Sequence, residues 1–343
     1  MEHSLSRTGA SLALVAMGAI ACGESTTKPA PPTPDAPKIT CPTTVTQPST
    51  DGQPVSVAYP AAVVTGGASP VSMTCAPPSP SVFQVGSTSV GCRAIDALSR
   101  SVSCSFTVVV AAPPRLGATR LIAFGDSMSD GVLGLRPQAV GDPGPAVGYA
   151  YKLRTLLANR YTAQTISMTD EGVPGENVTM GAARMPGVLT RDQPEAVLLL
   201  EGVNDLNGGH DAAIPTVRAR LTDMVRQARG RGLPVFLGTL LPQRPGGQKA
   251  YAPESIPPAN TAIREIAQTE GATLVDLFAA FDGQTATLIG SDGLHPNESG
   301  YQKMAQVFFD AIRARLELQS LNSGFALPTP ISSVSSSPRL RGR

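Results

Sequence analysis

After the dipeptide Pro113-Pro114, short apolar runs alternate with stretches of helical periodicity, and this alternation constrains the fold more than anything else in the chain. Arg120–Phe124, Ala196–Leu200, Val235–Leu240 and Leu274–Leu277 have the length of strands buried on both faces, and a weaker run covers Gln164–Thr169. Between them Tyr149–Asn159, Pro215–Arg229, Pro258–Thr269 and Glu298–Leu318 read as helices. In the last, Met304, Val307, Phe308 and Ile312 recur at helical spacing and form a core-facing stripe. Strand–helix alternation implies a doubly wound α/β domain with a parallel sheet, whose ligands bind beyond the carboxyl ends of the strands.

Ahead of the proline pair the pattern is different. Residues 39–111 read as all-β: Val55–Tyr59, Ser89–Ile95 and Ser101–Val110 alternate apolar and polar side chains between Gly- and Pro-rich turns. Four cysteines, Cys41, Cys75, Cys92 and Cys104, lie in this stretch, and two disulfides in any of three pairings suit an oxidising compartment. With no C-x-x-C spacing and no histidine nearby, a zinc site is discounted. Residues 23–38 are proline-rich and read as a semi-rigid spacer. Before them Arg7 precedes the apolar run Gly9–Ile20, which is too short to span a bilayer and reads as an export signal. A formal charge of +1, spread without basic stripes, argues against a nucleic-acid partner.

Two resemblances refine this half. Ala19-Ile20-Ala21-Cys22 resembles the lipobox of bacterial lipoproteins, which implies lipidation of Cys22 and a membrane-anchored, cell-envelope location; a plain secretory signal cut after Ala21 is the alternative. Cys41-Pro42, Val85–Thr88 and Cys104–Val108 resemble a hyalin-repeat domain, which implies an immunoglobulin-like sandwich serving adhesion or spacing. The expected organisation is a signal peptide at 1–21, a linker at 22–38, a β domain at 39–112, an α/β domain at 119–318 and an unstructured tail at 319–343.

Three segments at strand ends carry candidate chemistry. Gly125-Asp126-Ser127 follows the first α/β strand, where a serine on a sharp turn at a helix start is exposed to converging N–H groups. Ser129 stands where a G-x-S-x-G elbow would have its second glycine. Asp292-Gly293-Leu294-His295 precedes the last helix, and an Asp and a His three apart on such a turn can meet directly. Of the three histidines, His3 lies in the signal and His210 in a Gly-Gly loop, so His295 is the best general base. Asn204, after Ala196–Leu200, can donate to an oxyanion without bringing charge, and Gly175 lets backbone approach a substrate closely.

Gly125-Asp126-Ser127, Gly175, Gly202-Val203-Asn204-Asp205 and Asp292–Pro296 together resemble the four ordered blocks of SGNH/GDSL hydrolases, over about Thr119 to Leu318. Gly172 to Pro186, with Arg184, is similar to the usual continuation of the second block. The resemblance implies a three-layer flavodoxin-like fold and a Ser127–His295–Asp292 triad without metal or cofactor. It also implies an oxyanion hole built from the Ser127 and Gly175 N–H groups and the Asn204 side chain. The expected activity is serine-dependent hydrolysis of carboxylic esters, with short-chain, carbohydrate-borne or lipid esters as substrates. Two other readings are an O-acyltransferase with the same triad and a non-catalytic surface adhesion or carbohydrate-binding protein.

Overall fold

The computed structural model describes residues 32–132 and 148–318. The export signal with His3, Cys22, the start of the spacer, most of the Gly/Pro-rich stretch 131–148 and the tail from 319 lie outside the described residues. No helix among the described residues is long and apolar enough to cross a membrane.

The first half forms eight strands: β1 (Lys38–Thr40), β2 (Val45–Pro48), β3 (Val55–Val57), β4 (Val63–Thr65), β5 (Ser72–Ala76), β6 (Ser81–Phe83), β7 (Gly86–Ile95) and β8 (Ser101–Ala111). A four-stranded sheet runs in the order β2-β8-β7-β5, and β1 pairs with β4 and β3 with β6. Alternation along β7 and β8 turns Val90, Phe106, Val108 and Val110 inward, where they join Val57, Tyr59 and Phe83 in one apolar cluster. Of the three pairings open to the cysteines, the structure has Cys41–Cys104 and Cys75–Cys92. The second joins facing residues of β5 and β7.

Strand β9 (Arg115–Leu116) leads into five parallel strands, β10 (Arg120–Gly125), β11 (Ser167–Gly172), β12 (Ala196–Leu200), β13 (Val235–Gly238) and β14 (Thr273–Val275). Their spatial order is β11-β10-β12-β13-β14, so the second strand lies outside the first and the direction of travel reverses once. This is the flavodoxin-like arrangement, with its switch point between β10 and β12. Right-handed crossovers then put the helices on two faces. On one, α2 (Tyr149–Arg160) packs against the carboxyl-terminal helix, with the Tyr149 and Phe308 rings stacked 4.8 Å apart. On the other, α3 (Val178–Asp192), α5 (Ile214–Arg229) and α6 (Ile256–Glu270) lie side by side. The remaining helices are α1 (Ser127–Asp130), α4 (Val203–Gly209), α7 (Leu277–Ala280), α8 (Thr285–Leu288) and α9 (Glu298–Leu316).

Several elements differ from expectation: the strand expected at Gln164–Thr169 lies at Ser167–Gly172, and the short helices α1, α4 and α8 are absent from the sequence reading. Leu277 opens α7 instead of closing a strand, because Asp276 caps that turn by accepting the Ala279 N–H. Helix α3 is absent from the sequence reading: Pro186 and the glycines Gly181 and Gly187 disguise a stripe of Val178, Ala182, Met185, Val188 and Leu189 that is buried throughout. Burial of that stripe outweighs the missing N–H of an interior proline.

Candidate active site

At the switch point, β10 ends so close to β12 that a Cβ on Gly125 would sit 1.9 Å from the Leu200 carbonyl oxygen. The chain then turns into α1, with Asp126 as its cap, Oδ1 accepting the Met128 N–H at 2.9 Å. Ser127 is the first residue of that helix, and first-turn N–H groups have no acceptor within the helix. Its hydroxyl is buried and lies 2.9 Å from His295 Nε2.

His295 is held from behind. Its Nδ1 is 2.6 Å from Asp292 Oδ2, while Asp292 Oδ1 accepts the Leu294 and His295 N–H groups at 3.0 Å each. Burial pushes the Asp292 carboxyl up, but the hydrogen bond from His295 and these amides outweigh it and hold the group below its ordinary value. An ionised Asp292 fixes the proton on Nδ1, so the Nε2 lone pair faces the serine. Gly293 makes the turn between them at φ +83°, where a Cβ would meet Gly247 and the Arg244 carbonyl.

That contact exposes a support the sequence reading missed. The loop after β13 lies along the Asp292 turn: Arg244 N–H donates to Gly293 O (2.8 Å), Lys249 N–H donates to Asp292 O (2.7 Å), and Lys249 Nζ stands 3.8 Å from Asp292 Oδ2. Buried Gln243 anchors the loop through Asn207 and the Ala252 N–H. Gln243 lies between Pro242 and Arg244 beyond the strand, where no local pattern marks it as a support.

Asn204 sits in the first turn of α4, after Gly202 at φ +121°, and donates one amide N–H to Glu176 O at 2.8 Å. Gly175, at φ +82° and exposed, stands next to Glu176 in the loop after β11, and its own N–H has no acceptor among the described residues. The structure therefore brings Ser127, Asp292 and His295 into one hydrogen-bonded chain and joins Asn204 to the Gly175 loop through Glu176. His210 belongs to an exposed pair with Glu254 at 3.1 Å.

Beneath the serine lies a group of buried acids. Gly125 pairs with Leu200, so Asp126 and Glu201 leave adjacent strand ends together. Each is 1% exposed; Asp126 Oδ2 and both Glu201 oxygens have no hydrogen-bond partner among the described residues. Burial, reinforced by the Asp126 and Glu176 charges, pushes Glu201 up to about 9, and burial with the Asp205 and Glu176 charges raises Asp126 to about 7. At neutral pH Glu201 therefore holds its proton.

Comparison with known proteins gives the following. The model of the GDSL-like Lipase/Acylhydrolase family matches residues 123–303. Esterase TesA of Pseudomonas aeruginosa is 27% identical over 180 residues, 52% of this chain and 80% of the relative. An acetylxylan esterase of Geobacillus stearothermophilus is 24% identical over 218 residues, 57% of this chain and 97% of the relative. A solved lipase/acylhydrolase from Enterococcus faecalis superimposes with a TM-score of 0.50 at 20% identity, over 58% of this chain and 98% of that one, a likeness of fold.

Proposed function

The chain belongs to the GDSL-like lipase/acylhydrolase family and is an ester hydrolase, and from that premise we propose that Ser127 attacks the ester carbonyl with His295 as its base and Asp292 as the orienting acid. The observation that carries this reading is the relay Ser127 Oγ to His295 Nε2 at 2.9 Å and His295 Nδ1 to Asp292 at 2.6 Å. His295 takes the hydroxyl proton as the Oγ–carbon bond forms. The Ser127 and Gly175 N–H groups and the second Asn204 amide hydrogen receive the oxyanion. His295 then returns the proton to the departing alcohol, leaving an acyl-Ser127 that water hydrolyses by the same route. Ser127→Ala should abolish nitrophenyl acetate turnover and fluorophosphonate labelling while the circular dichroism spectrum stays unchanged; turnover at the wild-type rate would refute the assignment.

The substrates are short acyl esters, carbohydrate-borne acetyl groups among them. Similarity to an acetylxylan esterase supports this. Nitrophenyl esters of increasing chain length, run beside acetylated xylan, test it: acetate should be preferred, and a preference for long chains would favour lipid esters instead. The unit at 39–112 is proposed to be an immunoglobulin-like spacer between the hydrolase and a lipid anchor at Cys22. Radiolabelled palmitate should enter the wild-type protein and not Cys22→Ser.

A further inference from the structure

We propose that Arg184 and Glu176 form a positioning pair that sets the direction of both substrate-facing amide donors, those of Gly175 and Asn204. This rests on the oxyanion-hole reading above. The Arg184 fork grips the buried Glu176 carboxylate at two points, Nε to Oε1 at 2.9 Å and Nη2 to Oε2 at 2.5 Å. Nη1 and the same Nη2 also reach back to the end of β11, Nη1 to Glu171 Oε2 (3.3 Å) and Nη2 to Glu171 O (3.0 Å). The guanidinium plane lies 4.1 Å from the Phe124 ring, on β10 three residues before the serine. One side chain thus ties the serine strand to both ends of the Gly172–Glu176 loop.

Glu176 passes that fixation on in two directions. Its own peptide bond joins it to Gly175, and its N–H closes the turn on Val173 O at 3.0 Å. Its carbonyl takes one of the two Asn204 amide hydrogens. Those hydrogens lie in one plane about 120° apart, so binding one sets where the other points. A shift at Glu176 therefore misdirects two donors at once. Pairing a carboxylate as buried as that of Glu176, 3% exposed beside a 24% exposed Arg184, adds little net stability, which points to geometry as the reason for the clamp. Lysine cannot reproduce it, since an ammonium offers no planar fork.

The test uses the full-length protein and the variants Arg184→Lys, Arg184→Met, Glu176→Gln and Ser127→Ala. Nitrophenyl acetate kinetics are expressed per active site, counted by exhaustive fluorophosphonate titration. Arg184→Met should lose about 100-fold in kcat per titrated site with KM within threefold, since one misdirected donor alone is worth that much. Arg184→Lys should recover part of the loss, and Glu176→Gln should fall between. Wild-type kcat per titrated site in the Arg184 variants, with only a lower Tm, would reduce the pair to a structural role and overturn the proposal. Should Arg184→Met not fold, the lysine and glutamine variants decide alone. An active Ser127→Ala would instead sink the underlying triad; an inactive one beside unaffected Arg184 variants would sink only this inference.

Discussion

Replacing Glu201 with glutamine should stabilise the protein, by an amount that grows with pH. The Glu201 carboxyl is 1% exposed, both oxygens lack partners among the described residues, and its folded value is about 9 against an ordinary 4.5. Between those two values the unfolded chain has released a proton that the folded chain keeps. Stability due to this group is therefore complete below about pH 4.5 and falls by about 1.4 kcal/mol per pH unit until about pH 9. At pH 7 the accumulated loss is on the order of 3 kcal/mol, a large part of a typical domain's stability. Glutamine is neutral in both states and matches the shape that fits against Gly181. Asp126 adds a slope of the same sign between 3.8 and about 7, but wild type and variant share it. Because the chain has no tryptophan, urea unfolding is best followed by far-ultraviolet circular dichroism from pH 5 to pH 9. The difference between the two proteins should open from near zero at pH 5 and level off near pH 9. Parallel curves with a constant offset would mean that Glu201 is ionised in the folded state, and the argument would fail.

Other perturbations have equally definite outcomes. Asp292→Asn, which releases the His295 tautomer, should lower kcat by about 10³- to 10⁴-fold with little change in KM, as steady-state kinetics would show. Asn204→Ala should cost about 3 kcal/mol of transition-state stabilisation, about 100-fold in kcat. Gly125→Ala should yield little soluble protein in expression trials, since its Cβ would enter the Leu200 carbonyl at 1.9 Å. The double change Cys41→Ser, Cys104→Ser opens a 63-residue span and should destabilise the β half by about 4 kcal/mol in the chain-entropy account, read by calorimetry, with nitrophenyl acetate kcat unchanged.

The elements that bury whole strands were legible because their signal is local. Ala196–Leu200 is an unbroken apolar run and appears as β12 with the same limits. Helices α2, α5 and α6 lie within two residues of their expected ends, since their stripes are uninterrupted. Helix α3 stayed hidden because Pro186 speaks against a helix locally and only tertiary burial overrules it. Ser127, Asp292 and His295 stood out by residue type and by place at strand ends. Their supports did not: Gln243, Lys249 and Glu201 matter through neighbours 36 or more residues away in sequence or through water excluded by the whole fold, and neither is written in a local pattern.

The short pairing of β9 with β15 (Glu317–Leu318) has a practical meaning. Glu317, held by Arg160 and Tyr161, brings the last helix back beside Leu116, where the α/β half begins. Both ends of the hydrolytic half thus meet at the amino-terminal edge of its sheet, across the layer from Ser127. Cuts or fusions placed at that edge would therefore lie at the ends of the strands opposite Ser127.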